Sequence, residues 1–393
     1  MLYYLSLHRN QMAKRVQTTG NGKISIAQMR EIINKKAGTE VAYNLTEDNP
    51  TDVTDWIPTG SRWLDSIICK GKKAGIPVGK IVEIAGLEAS GKSYMAAQIA
   101  ANAQKQGIEV VYFDSESALD STFLARAGCK VNEILYVQAS SVEFVLETIE
   151  ELLAANTGKI LFIWDSLAMT PANADVEGDF NPQSSMAQKP RILSKGMSKL
   201  VQPIANKQCT VLVLNQLKTN ITSTPAEALV EPYFTPGGKA LPYAYSLRIW
   251  LTGRKSKASY LIDDKGYRIG SELKARLKKS RFGTEGRECT FKIVWGGDDI
   301  AIQDEESWFE AIKTSDQLEQ GGAWFSLVYA DGTKEKFQSA MWLEKLENPK
   351  FRERVLQIMD KEIITNFETK EGNASNYYNI DGDEPEVEFP VGD

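Results

Sequence analysis

Residues 86–93 read GLEASGKS, which has the form G-x-x-x-x-G-K-[ST]. Gly86 and Gly91 permit backbone conformations that turn several N–H groups toward one anion. Lys92 would reach β- and γ-phosphates, and the Ser93 hydroxyl would ligate Mg²⁺. Leu87, Glu88, Ala89, Ser90 and Tyr94 complete the wrapping segment. The apolar run KIVEI precedes it and YMAAQIAANAQKQG follows, so the motif has its required context, a strand before and a helix whose N-terminal dipole favours phosphate after. ATP with Mg²⁺ is the expected ligand. Phosphate loops serve kinases, motors, switches and DNA machines alike, so the rest of the chain must say what the nucleotide is for.

Three further polar residues end apolar runs of strand character. Asp165 closes KILFIWD, where a carboxylate is the expected holder of Mg²⁺ through water, and an ordinary strand-end aspartate is the alternative. Glu116 follows VVYFDSE directly, where it would sit beside the γ-phosphate and polarise an attacking water. Gln216 ends TVLVLNQ, where its amide would sense the γ-phosphate. Asp114 and Asn215 occupy similar strand ends and are candidates for the same site. A kinase of this class would need a second pocket and usually a lid, and the sequence shows no clear lid.

These residues must be held by the elements around them. From 41 to 300, short β-rich runs alternate with helical patterns, which predicts a mostly parallel sheet flanked by helices, with ligands at the carboxyl ends of the strands. The fold class is α/β: a phosphate-loop ATPase core with a short N-terminal helical arm and a small α+β C-terminal domain. The arm spans 24–40, where Ser25 and Gln28 form a capping box and Gly38 suits the C-terminal stop. Residues 1–23 read as a flexible extension, and Met12 offers a second start. Residues 301–368 make the C-terminal domain, with a hairpin turning at Asp331-Gly332. Two irregular segments, 177–185 and 217–236, interrupt the core, and such loops are usually functional.

Composition excludes several classes. No apolar run approaches the ~18 residues of a membrane span, and the N-terminus lacks the pattern of a secretory signal. The four cysteines match no metal spacing and imply reduced thiols in a cytoplasm-like compartment. His8 is the only histidine, which excludes histidine triads and His-based zinc sites from the body. The net charge of −6 is uneven: residues 379–393 hold six acids and no base, leaving 46 acids and 46 bases in the remainder. Residues 180–226 contain no acid but six bases, Lys189, Arg191, Lys195, Lys199, Lys207 and Lys218, and residues 274–287 hold six bases against Glu285. An acidic tail (369–393, expected to be disordered) on a body with two basic stretches fits a polyanion binder with a built-in competitor, and solvated helix faces are the plain alternative.

GKIVEIAGLEASGKS, YFDSESALD, WDSLAMTPANADVEGD, LVLNQLK, TPGGKAL and GGAWFSLV stand in the order and spacing of one family. Over roughly residues 24–368 the chain resembles the RecA-family DNA strand-exchange recombinases, bacterial or phage (UvsX-type), and its diverged loops and N-terminus lean towards phage. The resemblance implies that Glu116 activates water, that Gln216 senses the γ-phosphate, that Phe123 stacks on adenine and that Asp120 reads its exocyclic amine. It makes 177–185 and 217–236 the two DNA-binding loops. Met186, Arg191, Ser194, Lys218, Gly237 and Gly238 then grip the primary strand, and Lys274 and Arg276 form a secondary DNA site. Lys279 and Arg281 would reach across a subunit interface to the neighbour's ATP, and the arm would dock on the adjacent subunit.

The sequence departs from the family at Arg281, where the family has lysine, at Ser198, where it has a phosphate-contacting arginine, and at Pro190, near the start of a helix built without proline. The second loop is also longer than in bacterial members. The implied function is an ATP-dependent filament of this protein on single-stranded DNA that pairs with homologous duplex DNA and exchanges strands. A single-strand-binding protein and a loader are the implied partners, with no membrane, in a bacterial or phage-infected cytoplasm. The alternatives are a hexameric DNA helicase with the same core and a non-hydrolysing filament regulator or loader.

Overall fold

The computed structural model describes residues 24–45, 49–155, 158–177, 188–220, 232–253, 259–283, 285–296 and 301–364. The extension 1–23, Met186, most of the segment 177–185, the middle of 217–236 and the acidic tail lie outside the described residues.

Residues up to Asp52 and those from Val53 onward form two units. The first contains α1 (Ile26–Ala37). Gln28 N–H donates to Ser25 Oγ and Ser25 N–H donates to Gln28 Oε1, and Gly38 closes the helix at φ 71°. Such a cap is worth about 1 kcal/mol. Asn34 Oδ1 accepts from the N–H groups of Val41 and Ala42, which turns the following extended segment back on the helix.

The second unit is built on strands β1 (Trp56–Ile57), β2 (Ile76–Pro77), β3 (Ile81–Gly86), β4 (Glu109–Asp114), β5 (Ile134–Gln138), β6 (Ile160–Asp165), β7 (Thr210–Gln216), β8 (Lys218–Thr219), β9 (Tyr233–Phe234), β10 (Leu247–Thr252), β11 (Tyr260–Ile262), β12 (Arg268–Ser280), β13 (Glu288–Val294) and β14 (Ala301–Gln303). The main sheet runs β14-β13-β12-β10-β3-β7-β6-β4-β5, with β11 on β12. Strands β10, β3, β7, β6, β4 and β5 are parallel, and β12 to β14 continue the sheet antiparallel. Helices α2 (Arg62–Ile68), α3 (Lys92–Lys105), α4 (Ser121–Arg126), α5 (Val142–Ala155), α6 (Asn173–Glu177) and α7 (Gln188–Asn206) are interleaved.

Strand alternation decides which helix covers which face. Leu212 and Leu214 of β7 join Ile84, Tyr112 and Ile163 under Met95, Ala96 and Ile99 of α3. Val211 and Val213 join Val111, Phe113 and Phe162 under Val145 and Ile149 of α5 and Leu193 and Met197 of α7. Gly196 lets α7 close on α5, since a Cβ there would lie 2.4 Å from Leu146 Cδ1. All four cysteines, Cys69, Cys129, Cys209 and Cys289, are buried and none is bonded to another.

After residue 300 come the helix Glu305–Ile312, a three-stranded antiparallel sheet (β15 Leu318–Gly321, β16 Trp324–Val328, β17 Lys334–Gln338) and the helices Trp342–Leu346 and Pro349–Met359. Phe309, Phe325, Phe337, Trp342 and Phe351 interlock at its centre, with Phe309 edge-on to Phe325 at 4.8 Å. The hairpin between β16 and β17 turns where Asp331 Oδ1 accepts from the Thr333 N–H and Gly332 takes φ 82°.

Candidate functional site

The phosphate loop leaves β3 at Gly86 and enters α3 at Lys92. Gly91 precedes the helix at φ 78°, and a Cβ there would lie 2.8 Å from Ile293 Cδ1, so both backbone and space demand glycine. At Gly86 a Cβ would lie 2.1 Å from Ser90 Oγ. That Ser90 hydroxyl is buried without a hydrogen-bond partner, which suits a loop that awaits an anion. Lys92 Nζ lies on the carbonyls of Leu87 (3.0 Å) and Gly86 (3.3 Å). Burial lowers its pKa, while Asp165, Glu116 and Glu88 work to raise it. An ammonium held against its own loop among three carboxylates is poised for a phosphate that would replace those carbonyls.

Ser93 donates to Asp165 Oδ2 (2.9 Å), and the buried Tyr112 hydroxyl donates to the same oxygen (2.8 Å). Burial raises the Asp165 carboxyl, and these two donors pull it back. A hydroxyl and a carboxylate on adjacent elements form an oxygen donor set suited to Mg²⁺, which takes few protein ligands and keeps its waters. Glu116 sits one turn past β4, and its Oε1 accepts from the Ser166 hydroxyl (2.9 Å). Ser93, Tyr94, Glu116, Phe123 and Asp165 line one pocket. Gln216 pairs in register with Gly86, so its side chain starts beside the loop's first residue.

Other candidates have different employment. The buried Asp114 carboxylate accepts from the N–H groups of Glu116, Ala118 and Leu119, and so shapes the turn that carries Glu116. Asp120 caps α4 through the N–H groups of Thr122 and Phe123. Asn215 is buried beneath the site. Lys189 points inward, donating to the carbonyls of Leu167 and Ala168, and is withdrawn from the basic face.

Trp295, Arg268 and Tyr260, none of them singled out from the sequence, join Tyr94 and Phe123 at the mouth of the loop. Tyr94 stands between Phe123 (5.0 Å, edge-on) and Trp295 (5.4 Å). Arg268 covers Tyr260 at 3.9 Å and Trp295 at 5.1 Å. These flat surfaces beside Ala89 and Gly91 could face a nucleobase. The one linear signal was a tryptophan ending FKIVW just before two glycines.

The basic stretches also take shape. Arg191, Ser194, Lys195 and Gly238 line one groove, because Gly238 packs on Pro190, where a Cβ would lie 2.9 Å away. Pro190 sits in the first turn of α7, where its missing N–H costs nothing. Ser198 is satisfied by the Ser194 carbonyl of its own helix (2.8 Å). The segment 217–236 is not irregular throughout: β8 and β9 pair antiparallel, setting Lys218 opposite Phe234. Leu217 is buried with Ala85 and Trp250, which anchors the ribbon to the sheet.

Lys274 and Arg276 on β12 both face Glu288 on β13, with Arg276 Nε at 3.7 Å from its carboxylate. Lys279 pairs in register with Arg248, toward the amino end of β10, while the loop residue Gly86 pairs with Leu251 toward its carboxyl end. Lys279 Nζ donates to the Pro242 carbonyl (2.6 Å), and Arg281 donates to that of Tyr243 (2.9 Å). Both cations thus lie toward the end of the sheet away from their own phosphate loop.

The sequence matches the RecA N-terminal domain family over residues 24–300. It is 28% identical to Protein RecA of Mannheimia haemolytica over 91% of this chain and 92% of that protein. It is 29% identical to Protein RecA of Haemophilus ducreyi over 89% and 88%, and 32% identical to Protein RecA of Ruminococcus albus over 75% and 69%. With a phosphate loop at the carboxyl end of β3, a Ser93–Asp165 pair beside it and a family match across most of its length, the chain belongs to the RecA family.

Proposed function

We propose that the protein is a DNA-dependent ATPase that assembles with its own copies into a helical filament on single-stranded DNA, pairs that strand with a homologous duplex and exchanges strands. One observation carries the reading: the Ser93–Asp165 pair, Glu116 and Gln216 stand at the same end of the sheet from which the ribbon of β8 and β9 departs. Nucleotide chemistry and a DNA contact would then share one edge.

Lys92 and the loop N–H groups would hold the phosphates, and Ser93 with Asp165 would hold Mg²⁺, whose charge offsets that of the phosphates. Glu116, oriented by Ser166, would take a proton from water. Arg191, Ser194, Gly237, Gly238 and Lys218 would hold the primary strand by its phosphates, leaving sequence to base pairing. Lys274 and Arg276 would hold the incoming duplex, and Lys279 and Arg281 would complete the neighbouring subunit's ATP site.

The test is ATP hydrolysis with and without single-stranded DNA. Strong stimulation by DNA, with helical filaments in electron micrographs, is expected. Closed rings would favour the helicase reading, and binding without turnover would favour a regulator.

A further inference from the structure

The exit of the segment 217–236 and the residue before its entrance are both fastened to one buried cluster built on an ion pair. Arg248 on β10 donates from Nε to Oε2 of Glu83 on β3 across 2.6 Å, and both side chains are buried. The other carboxylate oxygen accepts from Nδ2 of Asn215 on β7 (3.0 Å), so the cluster spans three adjacent strands. Each partner also holds the segment's exit: Asn215 Nδ2 donates to the Pro236 carbonyl (3.1 Å), and Arg248 donates to the Thr235 hydroxyl (3.0 Å). At the entrance, Asn215 Oδ1 accepts the backbone N–H of Gln216 (2.9 Å). The residue beside the phosphate loop and the residue before Gly237 therefore share one side-chain amide.

Buried ion pairs add little net stability, because desolvation offsets their attraction. Displacing one partner alone is costly, because it leaves the other as an uncompensated buried charge. The backbone beyond is equally confined. A Cβ at Gly237 would lie 2.3 Å from Leu241 Cδ1, and Gly238 abuts Pro190 at the start of α7. A shift of Pro236 must therefore carry into Gly237, Gly238 and the groove along α7.

We infer that Glu83, Asn215 and Arg248 are positioning residues that pass a displacement of Gln216 through the sheet to Thr235–Gly238, so that the nucleotide sets the grip on DNA from both ends of the segment. This rests on the proposed ATP-dependent binding of DNA. The route is short: one amide and one ion pair connect strand β7 to the exit, independently of the residues between.

The experiment uses the full chain and a fluorescent oligo-dT strand. Its dissociation constant is measured with ADP and with a non-hydrolysable ATP analogue, alongside the analogue's own affinity. Thr235→Val removes the Arg248 contact at constant shape, Thr235→Ser keeps it, and Asn215→Ala cuts the central amide. The ratio of DNA affinities in the two nucleotide states should fall about threefold to tenfold in Thr235→Val and further in Asn215→Ala, while analogue affinity holds and Thr235→Ser keeps the wild-type ratio. A purely structural role would lower the melting temperature and leave the ratio intact. A wild-type ratio in Thr235→Val, and in Asn215→Ala where that variant folds, overturns the inference. A wild-type chain whose DNA affinity ignores the nucleotide overturns the proposed function and the inference with it.

Discussion

The Ser166 hydroxyl donates to Glu116 Oε1 across 2.9 Å, one residue along the chain from the Asp165 carboxylate that receives the Ser93 hydroxyl. One strand end thus orients both the carboxylate proposed to activate water and the one proposed to hold Mg²⁺. Glu116→Gln should keep nucleotide and DNA binding while slowing hydrolysis by about 10²–10⁴-fold, the usual worth of general-base assistance. Ser166→Ala should cost less, since it frees the carboxylate without removing it. Steady-state turnover and DNA affinity on the same preparations decide. Turnover of Glu116→Gln within twofold of wild type would remove Glu116 from the reaction.

Lys279 and Arg281 lie toward the end of the sheet away from their own phosphate loop, and the role proposed for them is therefore at another copy's nucleotide. A Lys92→Ala chain and a Lys279→Ala/Arg281→Ala chain should each be nearly inactive, by about 10³–10⁵-fold if the cations act as an arginine finger does. Mixing them should restore part of the activity, because some interfaces then join an intact loop to intact cations. Proven co-assembly without recovery would count against sharing.

Glu288 already occupies the two cations assigned to duplex DNA. These exposed pairs are worth no more than about 1 kcal/mol to the fold, so Glu288→Gln should leave the melting temperature nearly unchanged. It should raise duplex affinity several-fold at low salt, with the advantage fading as salt rises. Anisotropy titrations across a salt series check this, and equal affinities at the lowest salt would refute it.

Asp65 supplies a pH dependence with a definite sign. Burial pushes its carboxyl from 3.8 up to about 7, against hydrogen bonds from Thr59 and the charge of Lys73. Above about pH 4 the unfolded chain releases a proton that the folded chain keeps, so this contribution is full below that pH and is lost as pH rises through about 7. Its whole span is worth up to about 4 kcal/mol. Asp65→Asn, neutral throughout, should therefore gain stability relative to wild type between pH 5 and pH 8. Parallel melting curves from the two chains would expose the assignment as wrong.

Where local chemistry determines an outcome, the sequence announced it. The Ser25–Gln28 capping box and the Asp331-Gly332 turn formed at the residues that spell them, and the alternation in TVLVLNQ set which side chains meet α3 and which meet α7. Partners distant along the chain were not legible. Asp114 and Asp165 look alike as strand-end acids, yet one is spent on three backbone N–H groups and the other faces Ser93. Lys189 counted as surface charge until the carbonyls of Leu167 and Ala168 claimed it. The β8–β9 ribbon escaped notice because two residues a side leave no alternation to detect.

Burial pushes the thiols of Cys69, Cys129, Cys209 and Cys289 upward, that of Cys129 to about 11, so none presents an accessible thiolate. Maleimides react with the thiolate and need access to it. The folded protein should therefore be silent toward such reagents, and a cysteine placed on its surface, for instance by Tyr243→Cys, would carry a dye at that point alone. Subunit joining could then be followed by fluorescence without first stripping the native cysteines from the core.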